Sequence, residues 1–109
     1  MEFRTLAERA VTVRQHYAEL ERKRHGRPWT NEEVALGFVG DVGDLAKLVM
    51  AMGGMRSIPD ARQKLTHELV DCLWSVLVLS HLYDVDLERA FLQTMDDLEQ
   101  DMVREGRVD

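Results

Sequence analysis

The residues best suited to do chemistry in this chain are four carboxylates in two spaced pairs. Asp41 and Asp44 sit three apart, and Glu68 and Asp71 repeat that spacing further along. On a helix, residues three apart project from neighbouring turns of one face. Most of the other acids fit an ordinary solvated surface, but these four have a different setting. Asp41 lies three residues after Phe38 and four before Leu45, while Glu68 lies three after Leu65 and four before Cys72. Both therefore fall on or beside an apolar seam instead of opposite it. In an antiparallel helical hairpin, residues equidistant from the turn lie level with one another. Asp44 with Glu68 and Asp41 with Asp71 are two such pairs, each centred on position 56. The axes of packed helices lie about 8–10 Å apart. Carboxylates gathered at that range repel one another and resist desolvation. Mg²⁺ or Mn²⁺ resolves the conflict, because hard divalent cations take oxygen ligands and keep waters for a substrate. The competing reading of the same residues is a set of surface bridges to Lys47, Lys64 or nearby arginines.

The elements that must position these acids are helices. Phe3, Leu6, Ala10, Val13, Tyr17 and Leu20 step by threes and fours and mark one helical face. Gly26 and Pro28 punctuate its end. Thr30-Asn31-Glu32-Glu33 has the form of a capping box, in which Thr30 caps and Glu33 reaches back. A second helix follows, with Val34, Phe38, Val42, Leu45, Val49 and Met52 as its stripe, and Gly53-Gly54 stops it. Ser57-Ile58-Pro59-Asp60 reads as the next start, with proline tolerated in a first turn. The third helix carries Leu65, Leu69, Cys72, Leu73, Val76, Ser80 and Tyr83, and from Leu73 to Leu79 it is apolar nearly all round. A helix with no polar face is buried on more than one side, which points to a homodimer or larger homo-oligomer around this segment. Asp86 caps a fourth helix, striped by Leu87, Phe91, Met95, Leu98 and Met102, and a polar tail from Arg104 to Asp109 is expected to fray. No alternation of period two is long enough for a strand. The expected fold is an all-α four-helix bundle in a single domain over residues 1–109.

Bulk composition narrows the function. With 45% hydrophobic and 31% charged residues, the chain is too apolar for a disordered protein. Its formal net charge is -6 and it has no dense basic cluster, which argues against a nucleic-acid polymer as partner. An acidic protein that handles an anionic substrate needs metal to bridge the like charges. Cys72 is the sole cysteine, so an internal disulfide is impossible and a reducing compartment is the default. Met1-Glu2-Phe3-Arg4 opens no apolar signal region, and the run from Leu73 to Leu79 is too short to span a bilayer. The expectation is a soluble cytoplasmic protein with no membrane partner.

The motifs, in order, resemble the MazG-like family of all-helical nucleotide pyrophosphohydrolases, whose superfamily includes dimeric dUTPases and phosphoribosyl-ATP pyrophosphatases. Gly40-Asp41-Val42-Gly43-Asp44-Leu45-Ala46 is similar to that family's E-x-G-E-L-A segment. His67-Glu68-Leu69-Val70-Asp71-Cys72-Leu73 is similar to its E-E-L-x-D-x-L segment. Tyr83-Asp84-Val85-Asp86-Leu87-Glu88-Arg89-Ala90 resembles the link into its last helix, and His25-Gly26-Arg27-Pro28-Trp29-Thr30 resembles the lead into its metal helix. The resemblance runs from about residue 25 to 100. It implies that Asp41, Asp44, Glu68 and Asp71 are the metal-binding and catalytic residues, holding Mg²⁺ (or Mn²⁺). It also implies that a nucleoside triphosphate is cleaved to monophosphate and pyrophosphate by water attacking the α-phosphorus, and that the chain assembles as a homodimer or homotetramer. Two departures stand out. The first acidic pair is Asp-x-x-Asp where the family has Glu-x-x-Glu, one methylene shorter at each position. The lysine and asparagine that meet nucleotide in many relatives are missing from Gln93-Thr94-Met95-Asp96-Asp97-Leu98. These departures favour the rival reading, a non-catalytic helical oligomer that binds a nucleotide or a protein partner. Phosphoribosyl-ATP hydrolysis is a third.

Other residues carry two readings each. Trp29, beside a helix start, either stacks on a nucleobase or forms a hydrophobic staple. Lys47, one turn beyond Asp44, either touches phosphate or pairs with an acid. Asp97 is either an extra metal ligand or part of a solvated face. Trp74 belongs to the core or to an interface. His67-Glu68-x-x-Asp71 approaches the zinc-protease pattern H-E-x-x-H but lacks its second histidine. His16, His25 and His81 have no ligand spacing, and Cys72 fits a buried thiol. Gly53-Gly54 is a helix stop and not a phosphate-cradling loop.

Overall fold

Four α-helices make up most of residues 2–106, the part of the chain described by the computed structural model: α1 (Phe3–His25), α2 (Asn31–Met52), α3 (Ala61–Leu82) and α4 (Leu87–Arg104). No strand occurs among the described residues. Local chemistry sets the helix ends. Gly26 closes α1 in the left-handed conformation, φ 83°, with its N–H donating to the Arg22 carbonyl. The expected capping box opens α2: Glu33 N–H donates to Thr30 Oγ1 at 3.1 Å, and Thr30 N–H donates to Glu33 Oε1 at 3.0 Å. Arg27 also binds Glu33 at 2.6 Å, and this hydrogen bond, ahead of those from Thr30, lowers the Glu33 carboxyl to about 2.

Two boundaries differ from the sequence reading. After α2 the left-handed turn falls on Gly54, φ 81°, while Gly53 keeps φ -85°. α3 begins at Ala61, so Pro59 precedes the helix and is not in its first turn. Asp60 takes a left-handed φ of 55° and its side chain caps nothing. Asp86 does cap α4, accepting from Arg89 N–H at 3.3 Å. Of the polar tail, Arg104 still belongs to α4, and residues 107–109 lie outside the described residues, as does Met1.

Packing is organised around α3. Val34 of α2 and Val78 of α3, equidistant from Arg56, both sit in the core with Ala10 and Leu77. α2 and α3 therefore form the antiparallel hairpin that the acidic spacing requires. α1 lies across α3, and the Trp74 indole N–H donates to the Ala10 carbonyl at 3.2 Å. The Tyr17 ring meets Trp74 edge-on, with centroids 5.8 Å apart.

The core of a single chain is thin. Val78 is fully buried, but Leu73 on the same helix is 48% exposed, so the all-round apolar segment of α3 is only partly covered. α4 is barely packed: Leu87 reaches the core, while Phe91 is 57% exposed. The radius of gyration is 17.5 Å, against about 13 Å for a compact domain of this length. No helix among the described residues is long and apolar enough to cross a membrane.

Candidate metal centre

The α2–α3 register delivers three of the four expected carboxylates to one place. One oxygen each from Asp41, Asp44 and Glu68 lies within 4.8 Å of the other two. Asp44 is exposed, whereas Asp41 and Glu68 are partly buried at the helix seam. Glu68 Oε2 is buried with no hydrogen-bond partner, the only such side-chain atom among the described residues. An unmatched buried oxygen of this kind requires an explanation such as an ion.

The electrostatics agree with the geometry. Burial, followed by the charges of Asp71 and Asp44, raises the Asp41 carboxyl above its ordinary value. Burial and then Asp41, Asp71 and Asp44 raise Glu68 in the same way. None of Asp41, Asp44 and Glu68 forms an ion pair with lysine or arginine among the described residues. The surface-bridge alternative is therefore not what this chain forms. Lys47, one of the cations offered for it, is exposed and has no ion pair among the described residues.

Asp71 stands apart from the group of three. Its Oδ2 lies 3.1 Å from Nε2 of His67, one turn earlier on α3. It remains close enough to raise both Asp41 and Glu68. Burial and these same acids also raise the Cys72 thiol, which disfavours the thiolate a nucleophile needs. Asp97 accepts from Gln93 at 3.0 Å on exposed α4 and takes no part in the cluster.

Two of the acids, Asp41 and Asp71, border a cavity of about 520 Å³ between α1, α2 and α3, with Tyr17, Trp29, Trp74 and Ser75 also in its wall. Trp29 is held there from α1. Its N–H donates to Glu21 Oε1 at 2.6 Å, its carbonyl accepts from Arg14 Nη2 at 2.6 Å, and Arg14 and Glu21 bind each other at 3.1 Å. The indole ring lies against Gly37, where an added Cβ would stand 3.3 Å from it. Arg14 and Glu21 did not stand out in the sequence. Their spacing of seven puts them on one face of α1, but only the position of α1 against Trp29 gives that face a purpose.

An all-carboxylate donor set with one buried unpaired oxygen suits a hard divalent cation such as Mg²⁺ or Mn²⁺. Comparison with protein-family models, with curated proteins and with solved structures finds no match. The likeness to MazG-like proteins thus rests on the motifs alone.

Proposed function

We propose that this chain is a MazG-like, metal-dependent nucleoside triphosphate pyrophosphohydrolase that releases a nucleoside monophosphate and pyrophosphate. One observation carries the reading: Asp41, Asp44 and Glu68 converge within 4.8 Å beside an aromatic-walled cavity. These three residues would hold Mg²⁺ or Mn²⁺. A cation held there would supply positive charge against the triphosphate and would acidify water. The chain's own groups set the rest. Asp41 and Asp71 both border the cavity, so the reacting phosphate would sit between its aromatic wall and the acids. Asp71, outside the group of three and backed by His67, accepts the proton of the attacking water. The new bond joins water oxygen to the α-phosphorus, and the bond from that phosphorus to the bridging oxygen breaks, so that pyrophosphate leaves.

The apolar surface supports assembly as a homodimer or homotetramer. Leu36 and Val39 of α2 are 70% and 66% exposed, Leu69 of α3 is 53% exposed, and Phe91 lies bare on α4. Large apolar side chains left this bare on three helices favour burial against another copy of the chain. A cytoplasmic location follows from the nucleotide substrate and the lone thiol.

One observation favours the non-catalytic reading instead. Arg14 is the sole basic residue in the cavity wall among the described residues, and its guanidinium is engaged by Glu21 and the Trp29 carbonyl. Phosphate recognition would then rest on metal alone. The test is pyrophosphate release from a panel of canonical, modified and phosphoribosylated nucleotides with Mg²⁺ and with Mn²⁺, alongside sedimentation to establish the oligomer. Metal-dependent release supports the enzyme. Nucleotide binding without release supports the binding module.

A further inference from the structure

Ser75 is the buried polar residue of the cavity wall, and the packing leaves its hydroxyl unused. It is 3% exposed and lies in the middle of α3. A buried serine in a helix usually turns its hydroxyl back to a carbonyl of the preceding turn, as Thr12 and Thr66 do here toward Glu8 and Arg62. The Ser75 side chain makes no hydrogen bond among the described residues. Its oxygen is not sealed in the core, and the residue faces the cavity bounded by Tyr17, Trp29 and Trp74. A hydroxyl both donates and accepts, so it can pair with a ring nitrogen, an exocyclic amine or a carbonyl. Around it the wall is aromatic and aliphatic, which suits a flat apolar ring with one polar edge.

The opposite wall is preset. Arg14 and Glu21, with side chains only 13% and 14% exposed, grip the backbone N–H and carbonyl of Trp29. That grip fixes where the indole stands without using any atom of its ring. Gly37 leaves room for the ring against α2, because a side chain there would crowd it.

We infer that this cavity is a binding site for a planar heteroaromatic ring, with Ser75 as its hydrogen-bonding, selectivity-determining residue and the Arg14–Glu21 pair positioning Trp29 as its wall. The ring's identity as a nucleobase rests on the pyrophosphohydrolase reading, whereas its seat rests on the cavity alone. The site lies next to Asp41 and Asp71, so a nucleotide seated by its base extends its phosphates toward the carboxylates.

Both tryptophans of the chain line this cavity, so intrinsic fluorescence reports on it directly. The experiment titrates nucleosides, which carry no phosphate, into the full-length protein in EDTA, with pyrophosphate release measured separately. At least one nucleoside is expected to quench the emission at millimolar concentration. Ser75→Ala is expected to weaken the preferred nucleoside roughly two- to tenfold and to narrow the spread among bases, as loss of one net hydrogen bond predicts. Glu21→Ala is expected to shift the emission and weaken every nucleoside alike, while Glu21→Gln, which keeps an acceptor for Trp29 N–H, restores most of the affinity. Thermal melts confirm that each variant is folded. Absence of quenching in the wild type overturns the site, even if pyrophosphate is released. An unchanged base preference in folded Ser75→Ala overturns the role of Ser75. Ser75-dependent quenching without any turnover upholds this site and removes the enzymatic reading instead.

Discussion

Oδ2 of Asp71 lies 3.1 Å from Nε2 of His67, one turn away on α3, and Asp71 stays outside the group that Asp41, Asp44 and Glu68 form. The fourth acid thus has a side-chain partner, and on the proposed reading that partner backs it as the base while the other three hold the cation. His67→Ala removes that partner and frees Asp71 to turn toward the cluster. The expected result is Mn²⁺ binding a few-fold tighter by calorimetry, together with slower turnover. Unchanged affinity and unchanged turnover would show that the pair has no part in the site.

Glu68 carries a cost in the metal-free chain, because its Oε2 is buried without a partner. Glu68→Met keeps the length of the side chain and removes the carboxylate. In EDTA the variant should be more stable by about 1–2 kcal/mol in urea unfolding, since an unsatisfied buried polar group is lost. It should also lose the stabilisation that Mn²⁺ gives the wild type. A variant destabilised in EDTA would mean that Glu68 is already satisfied by something other than a cation.

The pH dependence of stability follows from three carboxyls. Asp41 and Glu68 are raised, so their anions are disfavoured in the fold. As pH rises from the ordinary carboxylate range, near about 4, toward their raised values, the metal-free chain loses stability. Glu33 has the opposite sign. Lowered to about 2, it contributes stability that is present above its ordinary value and lost as pH falls toward that figure. Thermal melts in EDTA should therefore show an optimum on the acid side of neutrality. With Mn²⁺ the upper limb should reverse, because the ion replaces protons on the acids. Identical profiles with and without Mn²⁺ would contradict a metal centre.

Glycines on α2 separate the cavity from plain helix propensity. Gly40 has open space around its would-be Cβ, so Gly40→Ala should stabilise the chain by about 0.5–1 kcal/mol. Gly37→Ala places a methyl 3.3 Å from the Trp29 ring. It should gain less stability and shift the tryptophan emission. Equal gains with unaltered emission would mean that Trp29 does not rest on Gly37.

The sequence made the α2–α3 hairpin and its acids legible because helical periodicity and distance from Arg56 are one-dimensional properties. Val34 with Val78 and Asp44 with Glu68 obey the same symmetry, so the core and the cluster share one register. What escaped depends on a third helix. Nothing in the spacing of Arg14 and Glu21 indicates that α1 brings them to Trp29, and Ser75 lies inside a segment that reads as apolar nearly all round. The pairing of His67 with Asp71 was visible as a spacing of four, but it competes with metal ligation, and spacing alone does not choose between them. The α1 stripe was legible as a face, yet only Ala10 of that helix is buried, because α4 makes little cover. The shift of the glycine turn from Gly53 to Gly54 reflects the usual uncertainty of one residue at a helix end.

The most direct test of the central claim is phosphorus NMR of the products formed from a nucleoside triphosphate with Mg²⁺, comparing wild type with Glu68→Ala. Nucleoside monophosphate and pyrophosphate resonances should grow together in the wild type and fail to appear in the variant. Diphosphate with inorganic phosphate as the products, or equal turnover by Glu68→Ala, would contradict it.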